Sequence, residues 1–176
     1  MANIVAGFGV PHTPVFPFFV KRDGPESETA KLFAAQKEQL SAVRPDVIVM
    51  FDTDHLNTFF LDNLPIFAVG VDKSFTGPND EPREMPVYTI PSALDLAAHI
   101  RQASIEAGFD TALTQHFSVD HSVAVPLHFL TPDMKCRSSR SSSAGTCRRY
   151  RRRNAVTRSA KPSAPPSPHG RIRCAS

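Results

Sequence analysis

The chain has 176 residues and a formal charge of +3, long enough for one domain with a real core. That charge is the sum of two unlike segments: Met1 to Lys135 carries 9 Lys and Arg against 17 Asp and Glu, a net −8, whereas Cys136 to Ser176 carries 11 Lys and Arg and no acid, a net +11. No apolar run nears the ~20 residues of a membrane-spanning helix, which excludes that class.

In chain order, Asn3 to Val10 is a short apolar run with Gly7 and Gly9 near its end, and is read as a buried strand entering a loop. Pro11 to Gly24 follows as an ordered loop, because prolines, glycine and aromatics crowd it. Glu26 to Arg44 places Leu32, Phe33, Gln36, Leu40 and Val43 at helical spacing, and Pro45 stops that helix. Asp46 to Phe51 is the clearest strand, continuous and apolar, as expected when both faces are covered. Pro65 to Val71 is a further strand, Asp72 to Pro86 a polar loop, and Val87 to Ile90 a short strand. Ser92 to Ala107 reads as a helix with Ser92 and Asp95 as a capping box and Gly108 past its end. Thr111 to Gln115 fits a strand, and Val119 to Leu130 carries Asp120 and His121 into a second apolar stretch.

Strands alternating with helices predict an α/β fold with a mainly parallel sheet and flanking helices over residues 1–135. Residues 136–176 are Ser-, Arg- and Pro-rich, with little apolar content beyond Tyr150, Val156, Ile172 and the cysteines. Such a segment cannot bury enough surface to offset ordering costs of about 1–2 kcal/mol per residue, and is expected to be a disordered tail. Cys136, Cys147 and Cys174 all fall in it and lack the close pairs of a zinc module. The N-terminus has no basic segment followed by a long apolar stretch, so no secretory signal is expected. With a cysteine-free folded segment, the expected location is the cytosol.

Ligands of open α/β sheets collect beyond the carboxyl ends of strands, and two histidines sit where that rule points. His12 follows the first predicted strand, and His55 follows the strand Asp46–Phe51 in the run Phe51-Asp52-Thr53-Asp54-His55. Two imidazoles with a carboxylate and open positions form the non-haem iron arrangement, and Asp52 or Asp54 could orient a ligand from outside. By residue type and spacing alone, the plainer reading is the better one, with His12 capping a turn and His55 a solvated loop residue. His121, beside Asp120 in an apolar surround, suits proton transfer, but without further context it reads better as a packed residue at a helix start with Asp120 as its cap. His99 is expected on a helix surface, and His116 and His128 carry no role.

The runs GFGVPHTP, FDTDH and VDHSVAVPLHFLTP occur in an order and at spacings similar to those of class III extradiol ring-cleavage dioxygenase catalytic subunits, the superfamily of the protocatechuate 4,5-dioxygenase beta chain. The resemblance covers about Met1 to Lys135. It implies that His12 and His55 are metal ligands to Fe(II) and that His121 is a catalytic histidine assisting proton transfer beside the substrate. It further implies a catechol-type aromatic diol and O2 as reactants, opened to a semialdehyde-type product. A homo-oligomer or a small partner subunit would also fit, and no membrane is implied. The loop from Asp72 to Pro86 matches no motif of the family.

The sequence departs from the pattern after Lys135. The family's third iron ligand, a glutamate, and a second active-site histidine find no counterpart, so the domain is expected to be C-terminally incomplete. Arg, Ser, Pro, Ala and Cys without acids resemble a GC-rich coding region read in another frame, and a frameshift near Lys135 is one explanation. The 176-residue chain is accordingly expected to have little or no ring-cleaving activity. Two other readings stand beside this one. A relative could bind metal without catalysis, or the run Arg148 to Arg153 could bind nucleic acid, which any strongly basic segment does nonspecifically and in a salt-dependent way.

Overall fold

The computed structural model describes residues 3–80, 82 and 84–134, together with the backbone of 143–149. Four helices and six strands follow one another as α1 (Phe16–Asp23), α2 (Glu28–Val43), β1 (Val47–Asp52), β2 (Phe67–Gly70), β3 (Ser74–Gly77), β4 (Tyr88–Pro91), α3 (Leu94–Glu106), β5 (Thr111–Thr114), α4 (His121–Leu130) and β6 (Ser143–Arg149).

The main sheet has the order β1-β6-β2-β5. β1 runs parallel to β6, from Val47 opposite Ser143 to Asp52 opposite Arg148, and β2 runs parallel to β5, with Phe67 opposite Thr111. The two parallel pairs meet through an antiparallel ladder between β2 and β6. The sheet is thus mainly parallel, as the alternation of elements implies. β3 and β4 form a separate antiparallel pair, Ser74 opposite Pro91.

The larger core cluster lies between α4, the β3–β4 pair and one face of β1. Phe75, Ile90, Val119, Val123 and Leu127 are buried there, and Ile48 and Met50 of β1 pack onto them. A second cluster joins Val69 and Val71 of the β2 region to Ala97 of α3, with Leu94 and Ile100 alongside. α2 docks on α4 through Phe33, whose ring stacks on Phe129 at 4.2 Å and meets Phe16 of α1 edge-on at 5.8 Å.

Several elements correct the sequence reading. Asn3 to Val10 is not a strand: residues 3–13 follow an irregular path, and Ile4 is 97% exposed. Strand formation is settled by pairing in the whole fold rather than by apolar content, and residues 3–13 pair with no strand among the described residues. Within the predicted loop Pro11–Gly24, α1 forms instead. Pro17 sits in its first turn, where no N–H is needed, Lys21 and Arg22 close its last turn, and Gly24 at φ 81° ends it. β3 interrupts the predicted loop Asp72–Pro86. The capping box expected at α3 does not form, since Ala93 holds the cap position without a side-chain bond and Ser92 Oγ is buried without a hydrogen-bond partner. β1 is covered on one face only, with Val49 exposed and Phe51 77% exposed on the other.

The tail contributes one piece to the fold. β6 lies inside it, and backbone ladders ask only for extended N–H and C=O groups, so a segment without an apolar pattern can fill the slot. The rest of the expected disordered tail, with the basic run beyond Arg149 and Cys136 and Cys174, lies outside the described residues. No helix among the described residues is long and apolar enough to cross a membrane.

Candidate metal centre

Three segments far apart in sequence bring an imidazole each to one place. His12 arrives on the irregular segment before α1, His55 on the loop leaving β1, and His121 as the first residue of α4. Their rings lie 5.3 Å (His12–His55), 5.8 Å (His12–His121) and 4.5 Å (His55–His121) apart, and one ring nitrogen from each falls within 4.8 Å of the other two. The convergence expected of His12 and His55 is therefore present, but not through neighbouring strand ends, because no strand precedes His12 among the described residues.

Local sequence explains how each ring is held. Asp54, 6% exposed, accepts from the backbone N–H groups of Thr58 at 3.1 Å and Phe59 at 2.9 Å, folding the loop back just before His55. Asn57 donates to the Ser118 carbonyl at 3.1 Å, tying that loop to the approach to α4. Ser122 Oγ, whose single proton lies between the Asp52 and Asp120 carboxyls, stands 2.9 Å from Asp52 Oδ2 and ties the end of β1 to the first turn of α4.

Asp54 bonds Thr58 and Phe59 and Asp52 lies against Ser122, while the carboxylate beside the His55 ring is that of Asp120, which is fully buried. Its Oδ2 accepts from the His55 backbone N–H at 3.3 Å and stands 3.3 Å from His55 Nδ1. Its Oδ1 accepts from the Ser122 N–H at 2.9 Å, making Asp120 the N-cap of α4, and lies against Ser122 Oγ. The cap is visible in the sequence; the long-range hold on His55 leaves no local signal. His121 has its own carboxylate, Asp80, which accepts from its backbone N–H at 3.1 Å and touches its Nδ1.

The donor set fits a divalent transition metal, for which neutral imidazole is a common ligand. Burial first, then the neighbouring His55 and His121, hold His12 below its ordinary pKa of 6.5, against an opposing pull from Asp120. His12 therefore stays in the neutral, ligating form at neutral pH. Among the described residues this trio includes no carboxylate. The other histidines among the described residues lie apart. His99 is exposed, His116 pairs with Asp72 on the surface, and half-buried His128 meets the Tyr88 hydroxyl at 2.5 Å through Nδ1.

The family model for the catalytic LigB subunit of aromatic ring-opening dioxygenase matches residues 6–153, from the segment bearing His12 through β6. The chain belongs to this family. It is also 33% identical over 120 residues to a 2,3-dihydroxyphenylpropionate/2,3-dihydroxicinnamic acid 1,2-dioxygenase of Klebsiella pneumoniae (strain 342), a match covering 68% of this chain and 37% of that one. A similarly named dioxygenase 2 of Pseudomonas putida is 30% identical over 119 residues, and one from Escherichia coli O139:H28 is 31% identical over 120, each with the same coverage of both chains. The matched region spans 37% of the length of these curated relatives.

Proposed function

We propose that this chain carries the histidine centre of an extradiol ring-cleavage dioxygenase, with His12 and His55 as ligands to Fe(II) and His121 as the proton-handling group beside a catechol-type diol. The observation that carries the reading is the convergence of three imidazoles from three separate segments to within 4.8 Å. The names of the relatives favour a 2,3-dihydroxyphenyl acid as the aromatic substrate.

When bound, Fe(II) would supply a common anchor for diol and O2 and a path for electron density between them. The chain's own residues do the remaining work. Asp120 fixes the His55 ring from its buried cap position, and burial keeps His12 neutral. His121, stacked 4.5 Å from His55, accepts a phenolic proton as the diol docks and returns it to the opened product.

A second reading follows from the absence of a carboxylate in the trio among the described residues. A carboxylate supplies charge neutralisation and shape to a non-haem iron site, and three imidazoles alone can hold a divalent metal without turning over a diol. Both readings predict binding; they part on chemistry. Anaerobic Fe(II) titration of the 176-residue chain should show one ion per chain, lost in the double variant His12→Ala/His55→Ala. No binding by the parent chain, or equal binding by the variant, overturns the site. Oxygen uptake with 2,3-dihydroxyphenylpropionate is expected to be weak or absent in the 176-residue chain, whose trio includes no carboxylate among the described residues. In a chain restored to the length of its relatives, turnover supports the dioxygenase and metal binding with no uptake supports the non-catalytic relative.

A further inference from the structure

Asp80 lies between β3 and β4, in the loop that matches none of the family motifs. Its carboxylate nevertheless holds His121 at two points, 41 positions further along the chain. Oδ1 accepts from the His121 backbone N–H at 3.1 Å, and Oδ2 lies against ring Nδ1.

The loop carrying Asp80 is fastened to the segment entering α4. The Val119 N–H donates to the Thr76 carbonyl at 2.8 Å, and the Asn79 N–H donates to the Val119 carbonyl at 3.1 Å. Gly77 makes this closeness sterically possible, because a Cβ there would fall 2.4 Å from the Val119 oxygen. The His121 side chain is 13% exposed and that of Asp80 31%, so the pair sits at the rim of the site with the imidazole on the inner side.

We propose that Asp80 is a positioning residue that fixes His121 in the tautomer carrying its proton on Nδ1, leaving the Nε2 lone pair to work in the site. This rests on the reading of the trio as the reaction centre. A carboxylate accepts from N–H and cannot donate, so an imidazole held through Nδ1 must present the proton there. Nε2 is then the nitrogen able to take a phenolic proton, and the imidazolium that results keeps its Nδ1–H on a negative partner. The other tautomer would present an N–H donor where an acceptor is required.

The test reads the tautomer directly, by long-range 15N–1H spectra of the metal-free chain labelled at histidine. In the parent chain His121 should show a protonated Nδ1 and an unprotonated Nε2. Loss of a hydrogen bond to a charged acceptor in Asp80→Asn should move the tautomer ratio by about tenfold toward Nε2–H, and Asp80→Glu should restore it in part. A parent chain with the proton on Nε2 overturns the proposal without any variant, as does an unchanged spectrum in Asp80→Asn. Fe(II) titration of the same samples keeps the two ideas apart. A tautomer shift with no metal binding by the parent chain sinks the metal centre and leaves the hold of Asp80 standing, whereas metal binding with no tautomer shift does the reverse.

Discussion

Asp120 and His55 stand 65 positions apart in the chain, yet one carboxylate oxygen of Asp120 lies 3.3 Å from both the backbone nitrogen and ring Nδ1 of His55. The same side chain caps α4, so helix start and candidate ligand share one fully buried carboxyl group. Replacing it should disturb both. Asp120→Ala is expected to cost about 2–4 kcal/mol, from the lost cap and the buried donors it strands, measured by urea unfolding. Metal affinity should fall roughly 10–100-fold, as it does when outer partners of ligand histidines are removed; an unchanged affinity in competition titration would count against the outer role.

Gly77 tests the docking of the β3–β4 pair. Gly77→Ala puts a methyl 2.4 Å from the Val119 carbonyl oxygen and 2.5 Å from its Cγ2, both on a fully buried residue. The strand must shift, at about 1–3 kcal/mol, visible as a lower denaturation midpoint at unchanged slope.

The α2–α4 contact turns on one aromatic stack. Phe33 is 2% exposed and stacks on Phe129 at 4.2 Å. Phe33→Ala should cost about 3–5 kcal/mol. A double-mutant cycle with Phe129→Ala should return a coupling of about 0.5–1.5 kcal/mol; strict additivity would show that the stack contributes nothing beyond burial.

His128 supplies a pH dependence separate from the metal centre. Burial holds its pKa below the ordinary 6.5, and its Nδ1 meets the Tyr88 hydroxyl. At higher pH both folded and unfolded chains carry it neutral, and no penalty arises. As pH falls through about 6.5, the unfolded chain takes a proton that the folded one refuses, so stability declines until the folded pKa is passed, at up to about 1.4 kcal/mol per unit. His128→Phe should flatten that acid limb of a pH series of unfolding free energies, leaving the part due to His12. An unaltered limb would refute it.

Much of this molecule is legible in the sequence where the signal is local. Ser27 accepts from the Ala30 N–H to open α2, two residues inside the expected start at Glu26, and Arg44 in the left-handed region before Pro45 closes it, one residue past the last helical position. The run from Val47 to Phe51 could hardly be anything but a strand. α1 is masked because Pro14, Pro17 and Gly24 look like breakers, although proline in a first turn and glycine after a last one are compatible with a helix. Ile4 to Phe8 has strand-like residues but no partner in the sheet, and pairing is decided by the whole fold. The three histidines stand out because each sits in a motif at the edge of an element. Asp120 shows its capping role and hides its grip on His55. Asp80 shows nothing, because its meeting with His121 requires the β3–β4 pair to be docked first.

β6 joins a strand pointing one way to a strand pointing the other, parallel on its β1 side and antiparallel on its β2 side. Cutting the chain after Met134 would spare every histidine of the trio and still divide the sheet in two. Each half would present a bare row of amide and carbonyl groups, the template by which strands recruit neighbours. Shortening this protein to its histidine-bearing portion is therefore a route to clumping rather than to a cleaner sample, because the strand Ser143–Arg149 is what joins the two halves of the sheet.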